Sequence, residues 1–255
     1  MRVVVCADDR ALGSAVATEA ARLLREAVEA RGQARLLLST GRSQFTTLEA
    51  LVREQVPWRA VDAFHLDEYV GLAPDHPASF RRYLRERLAA RVPLRALHGV
   101  DPAGDLVALA AEVRAAPIDV GLVGIGENGH VAFNDPPADF ETEEAYLTVT
   151  LDAACRRQQV GEGWFASLEE VPLRAVTMSV RQILACRVLL SAVPYAVKAE
   201  AVRRVLAGGI TPEVPASALR RHPDASLYLD RESGALLDDP LLARYGGDRA
   251  GEPRP

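Results

Sequence analysis

Short β-branched or apolar runs alternate along this chain with longer, helix-patterned stretches rich in Ala, Leu, Arg and Glu, and few folds admit that alternation. Parallel strands need a crossover of about a dozen residues or more, usually a helix, so the pattern predicts βα units feeding a parallel sheet. The apolar runs fall at residues 2–7, 34–39, 61–66, 118–124, 187–193 and 226–229. Helical patterns occupy 12–31, 45–54, 79–90, 105–115 and 197–206. Ile118-Asp119-Val120-Gly121-Leu122-Val123 is apolar apart from one Asp near its start, as a strand covered on both faces has to be. The expected fold is α/β: a Rossmann-like, doubly wound, mostly parallel sheet with helices on both faces.

Residues 140–171 are more polar and carry Gly161-Glu162-Gly163, which predicts an excursion over the carboxyl edge of the sheet before the chain rejoins it near 187. From 238 the sequence turns rich in Gly, Pro and charge. The expectation is one domain over residues 1–237 and a flexible C-terminal tail over 238–255. No internal repeat or linker divides the chain.

Composition enters as a set of exclusions. With 255 residues, 49% of them hydrophobic, the chain can bury a real core. Its formal charge of -5, with Arg interspersed among Asp and Glu, argues against a nucleic-acid partner. Cys6, Cys155 and Cys186 are odd in number and have no metal-like spacing, so buried, inert thiols are expected and no metal site. The N-terminus reads as a strand rather than a signal peptide, and no apolar run approaches the ~18 residues of a membrane span. A cytoplasmic enzyme with no membrane contact is expected.

Ligands of open α/β sheets bind beyond the carboxyl ends of the strands, so the segments following the apolar runs are the candidate sites. Ser39-Thr40-Gly41-Arg42-Ser43-Gln44 follows one run and opens a helix; its hydroxyls, glycine and free N–H groups suit a phosphate, although the same residues serve ordinary helix capping. His65-Leu66-Asp67-Glu68-Tyr69-Val70-Gly71 ends another run with adjacent carboxylates. A carboxylate desolvated in a cleft can act as a general base toward a carbon acid, and the alternative is a structural ion pair. The third, from Gly124 to Pro136, spaces glycines ahead of Asn128, Gly129, His130 and Asp135. That arrangement suits an imidazole proton shuttle with its tautomer held by a neighbour.

Together these segments resemble the glucosamine-6-phosphate deaminase family, which is related to the 6-phosphogluconolactonases. Asp67-Glu68-Tyr69-Val70-Gly71-Leu72 and Gly129-His130-Val131-Ala132-Phe133-Asn134-Asp135-Pro136 match its D-E-Y-V-G-L and G-H-x-A-F-N-E/D-P motifs. The match runs in order across nearly the whole chain. Lactonases usually carry D-E-R and lack the F-N-E/D-P run.

The resemblance implies a hydrolase/isomerase that converts glucosamine 6-phosphate, or a close analogue, to fructose 6-phosphate and ammonia without a cofactor. It gives Asp67 and His130 the catalytic proton transfers, with Asp135 and Asn128 orienting the imidazole. Thr40, Gly41, Arg42, Ser43 and Lys198 would hold the phosphate. Glu68, Gly129, Arg156 and Arg157 would support the site. A lactonase or another sugar-phosphate isomerase is the alternative, followed by a non-catalytic sugar-phosphate sensor, and a homo-oligomer is left open. Three departures stand at the phosphate end. Arg42 replaces a small residue, Pro194-Tyr195-Ala196-Val197 replaces a Gly-containing turn, and Gly163 precedes Trp164-Phe165 where relatives place an arginine.

Overall fold

A computed structural model describes residues 1–247. In chain order the elements are β1 (Arg2–Val5), α1 (Asp9–Arg31), β2 (Ala34–Leu38), α2 (Phe45–Leu51), β3 (Val61–His65), β4 (Asp67–Tyr69), α3 (Phe80–Leu84), β5 (Ala96–His98), α4 (Leu106–Arg114) and β6 (Val120–Val123). They continue with β7 (Tyr146–Thr150), α5 (Ala153–Gly161), β8 (Arg174–Met178), α6 (Val180–Leu184), β9 (Val188–Val193), α7 (Ala199–Ala207), β10 (Ala225–Leu229) and α8 (Asp239–Arg244). A seven-stranded parallel sheet runs β1-β10-β9-β6-β2-β3-β5, and a small antiparallel sheet runs β4-β8-β7.

Each element follows from local chemistry. The Asp8 carboxylate caps α1 by accepting from Ala11 N–H at 2.8 Å, and Gly32, at φ 74°, ends the helix by donating its N–H to Val28 O. Between the caps, Leu12, Val16, Ala20, Leu24 and Ala27 recur at helical spacing and are buried against one face of the sheet. Fully burying Leu12 or Leu24 stabilises the fold by about 1.5–3 kcal/mol each. Helices α1, α2 and α3 cover this face, while α4, α6, α7 and α8 pack on the other through Val113, Ile183, Val202 and Leu242. The strands between are mostly apolar, with Arg35, Asp62, His65, Ser191 and Ser226 as buried polar exceptions, and β2 and β10 are buried at every residue. The architecture is thus the expected doubly wound, mostly parallel α/β sheet.

The strand order fixes where a ligand can sit. From β2 the chain proceeds outward through β3 to β5, then returns to place β6 on the opposite side of β2 and continues to β9 and β10. The reversal lies between β2 and β6, where consecutive connections leave on opposite faces and open a crevice at the strands' carboxyl ends.

Three differences from expectation have local causes. The polar stretch at 140–171 is not only an excursion: it supplies β7 and α5, and β7 joins β8, just after that stretch, and Asp67–Tyr69, just beyond β3, in the small sheet. The alternating exposure of β7 explains why it did not read as a buried strand. The expected flexible tail begins too early at 238. Asp238 caps α8 through Leu241 N–H at 2.9 Å, Leu242 is buried, and Val3 N–H donates to Tyr245 O at 3.2 Å along the edge strand β1. Residues 248–255 of that tail lie outside the described residues. The helical pattern at 79–90 forms α3 and then a widened π turn over Arg85–Ala89. No helix among the described residues is long and apolar enough to cross a membrane.

Candidate active site

Four adjacent strands, in the order β3-β2-β6-β9, each deliver residues to one pocket at the sheet's carboxyl edge. Beyond β3 comes Asp67; beyond β2 come Ser39, Thr40, Gly41 and Ser43; beyond β6 come Gly124, Gly126 and His130; beyond β9 comes Lys198. The sequence places these residues far apart, and the strand reversal brings them together.

Asp67 starts β4, opposite Thr177 of β8, and is only 6% exposed. Its carboxylate makes no hydrogen bond to another described group. Burial, and then the negative charge of Glu68, push its pKa up to about 8. The neighbouring Glu68 is a different kind of carboxylate. Fully buried, it accepts from the N–H groups of Tyr69, Phe80 and Arg81 and from Ser79 Oγ, with the Arg81 Nε at 3.4 Å. Five donors satisfy it, so it joins β4 to α3 and does not face the pocket. Tyr69 packs in the core and donates its hydroxyl to Gln159 Oε1 at 2.8 Å.

His130 sits in the loop after β6, which is pinned at several points. Asn134 donates to Val131 O and Met178 O, Phe133 N–H to Thr177 Oγ1, and Ala216 N–H to Gly129 O. Asn128 Oδ1 accepts from His130 N–H at 3.0 Å, and Asn128 Nδ2 donates to Asp135 Oδ1 at 3.0 Å. Asp135 Oδ1 is 3.2 Å from His130 Nδ1, an ion-pair distance without the alignment of a hydrogen bond. Burial alone would raise the Asp135 pKa, but His130, Asn128 and the Asp152 N–H together hold it below the usual carboxylate range. The imidazole lies flat against Gly126. A Cβ there would stand 2.1 Å from His130 Cε1, so only glycine lets the ring adopt this position.

At the far end, Gly41 takes φ 93° and its carbonyl accepts from Tyr83 Oη at 3.2 Å, turning the loop's hydroxyls inward. Ser39 Oγ is buried and unpartnered, as a donor awaiting a ligand would be. Helix α2 is too short to contribute a strong dipole, so the donors here are loop groups and Lys198. Lys198 is 3% exposed. Burial lowers its pKa, while Glu162 and Glu127 pull it back up. The turn that aims it inward places Tyr195 at φ 81°, a backbone conformation costing about 1–3 kcal/mol in a non-glycine residue. The Tyr195 N–H donates to Asp230 Oδ2 at 2.8 Å and holds the turn.

Other expected residues lie elsewhere. Arg42 is exposed and does not line the pocket. Arg156 donates to Leu168 O and Val171 O and braces a loop, and Arg157 is exposed. Neither arginine lines the pocket. Gly129, at φ 93°, shapes the His130 loop. Sequence reading missed Gln158, Gln159 and Glu162, which α5 brings over the Gly41 loop. The sole signal was the Gly161-Glu162-Gly163 turn, whose position depends on the second sheet.

His130, Asp135 and Cys155 offer ligand atoms within 4.8 Å of one another. Burial, and then the charges of Asp135 and Asp152, push the Cys155 thiol well up, so a metal would have to displace a tightly held proton. The grouping sets a His–Asp pair beside a buried thiol.

This arrangement can move protons on a bound anion, with a buried base and an imidazole facing a cavity whose other end carries hydroxyls and one ammonium. Residues 7–228 match the family of glucosamine-6-phosphate isomerases/6-phosphogluconolactonase. The chain is 38% identical over 217 residues to a glucosamine-6-phosphate deaminase of Rhodopirellula baltica, covering 79% of this chain and 83% of the relative. Against that of Exiguobacterium sibiricum identity is 35% over 207 residues, covering 79% and 81%. A monomeric glucosamine-6-phosphate deaminase of known structure superposes with a TM-score of 0.83 at 30% identity, covering 93% of this chain and all of the other. A 6-phosphogluconolactonase from Shewanella baltica shares the fold, with a TM-score of 0.72 at 22% identity over 90% of this chain and 98% of the other.

Proposed function

The chain belongs to the glucosamine-6-phosphate isomerase/6-phosphogluconolactonase family, and on that premise we propose that it deaminates and isomerises glucosamine 6-phosphate to fructose 6-phosphate and ammonia. The observation that carries this reading is the unpartnered, buried Asp67 carboxylate sharing one pocket with His130. A base whose pKa stands near 8 is matched to slow carbon acids, which an ordinary surface carboxylate is too weak to deprotonate.

In this path the phosphate rests among Ser39, Thr40, Gly41, Ser43 and Lys198, which directs the sugar toward His130 and Asp67. His130 carries a proton from the anomeric hydroxyl to the ring oxygen and opens the ring, while Asp135 and Asn128 hold the imidazole. Asp67 then removes the C2 proton, giving an enolamine, and returns it at C1. The resulting imine takes up water and releases ammonia. Carbon, nitrogen and charge balance with water as the only co-reactant.

Curated relatives carry the deaminase name, whereas the lactonase likeness shows the fold alone. The similar deaminase structure is monomeric, which favours a monomer over the homo-oligomer left open by the sequence. A cytoplasmic location remains part of this proposal. The test is ammonia release from glucosamine 6-phosphate. Wild-type protein is expected to release it, and Asp67→Asn to lose at least about a hundredfold in kcat together with solvent-deuterium incorporation at C1 of the product. Absence of ammonia at saturating substrate would refute the reading.

A further inference from the structure

The anion end of the pocket contains a carboxylate. Glu162, at the end of α5, lines the same cavity as Ser39, Gly41 and Lys198, and a Cβ on Gly41 would stand 3.9 Å from Glu162 Oε2. Its position is fixed: Gln158 Nε2 donates to Oε1 at 2.7 Å and Trp164 Nε1 to Oε2 at 3.0 Å. Each oxygen keeps a second lone pair. The charged and titratable groups whose fields meet Glu162 are Lys198 from the start of α7, Tyr195 from the turn after β9, Tyr83 from α3 and Tyr69 from β4. Arg42 acts on Tyr195, and Glu127 on Lys198.

Lys198 and Glu162 therefore bring opposite charges to the same end. A fully ionised phosphate has only acceptors, which suit Ser39, Thr40, the Gly41 loop and Lys198 but meet Glu162 acceptor to acceptor and charge to like charge. A phosphate monoester that retains one proton presents a P–O–H donor to Glu162 and acceptors to the rest. Its single negative charge also faces less repulsion.

We infer that Glu162 is a specificity-determining residue that makes this pocket select the phosphate monoester as its monoanion, the phosphate proton being shared with the Glu162 carboxylate. This rests on the sugar-phosphate reading above and adds the ionisation state of the substrate to it. A phosphate monoester loses its second proton near pH 6, so a dianion from neutral solution takes up one proton as it binds.

Calorimetry with glucitol 6-phosphate, which cannot open a ring or release ammonia, tests this without turnover. In buffers of different ionisation enthalpy at pH 7.5, wild-type protein is expected to take up about one proton per ligand. Its Kd should rise about fifty-fold between pH 6 and pH 8, as the monoanion fraction falls around a pKa near 6. Glu162→Gln is expected to bind without that uptake, more tightly than wild type at pH 8, and with a Kd changing less than about threefold over the same range. Uptake by Lys198, Asp67 or His130 would survive this substitution, so wild-type uptake that persists in Glu162→Gln overturns the inference. Binding to wild type with no uptake overturns it too, whether or not the variant folds. If folded wild-type protein binds no glucitol 6-phosphate at any pH, the sugar-phosphate reading fails with it.

Discussion

Asp67 and Glu68 are chain neighbours with opposite environments, and their difference is set by hydrogen bonds. Glu68 is surrounded by donors, while Asp67 has none among the described residues and faces a cavity. The raised Asp67 pKa has a stability consequence whose sign is fixed. Folding raises this carboxyl from 3.8 to about 8, so its contribution is fully present below pH 4 and is lost as pH rises through about 8. Asp67→Asn lacks this dependence. In urea denaturation the variant should gain on wild type as pH rises from 5 to 9, by on the order of several kcal/mol. A stability difference that stays constant across that range would show that Asp67 ionises as easily in the folded protein as in the unfolded one. Tyr195 is the residue-scale counterpart at the other end of the pocket. It adopts a backbone conformation natural to glycine, in the turn that leads into Lys198.

Elements meet the site through a few polar junctions. Glu68 ties β4, which presents Asp67, to the first turn of α3. Asp135 ties the His130 loop to α5 by accepting from Asp152 N–H at 3.1 Å, and α5 in turn carries Glu162. Glu68→Gln should therefore act on both stability and the neighbouring base. Replacing an acceptor by an amide among buried donors is expected to cost about 2–4 kcal/mol in denaturant unfolding. Removing the negative charge beside Asp67 should also move the pH dependence of kcat to lower pH. A purely structural role for Glu68 would lower stability and leave that pH profile in place.

On the scale of the whole molecule, the C-terminal segment belongs to the core. Leu242 is 3% exposed, and Tyr245 Oη donates to Leu206 O at 2.8 Å. Leu242→Ala is expected to destabilise by about 2–4 kcal/mol, read as a lower melting temperature. A frayed tail would tolerate it within about 0.5 kcal/mol. This segment hid in the sequence because α8 is short and flanked by Gly, Pro and charge, so its burial rests on partners distant in the chain. The main sheet was legible for the opposite reason. Strands covered on both faces must be apolar and their crossovers amphipathic, and that pattern is written locally, as in residues 118–124 and 12–31. The motifs around Asp67 and His130 were legible likewise, since they lie within continuous segments. The sequence by itself thus determined the α/β class and singled out Asp67 and His130, which line one pocket. Tertiary structure alone decided that Glu68 is tied into the fold by five donors, that Arg42, Arg156 and Arg157 lie outside the pocket, and that Glu162 lines the same cavity as Lys198. These depend on which strand ends become neighbours at the β2–β6 reversal and on how α5 crosses them. Burial and field at a side chain come from such distant chain segments, and no local pattern encodes them.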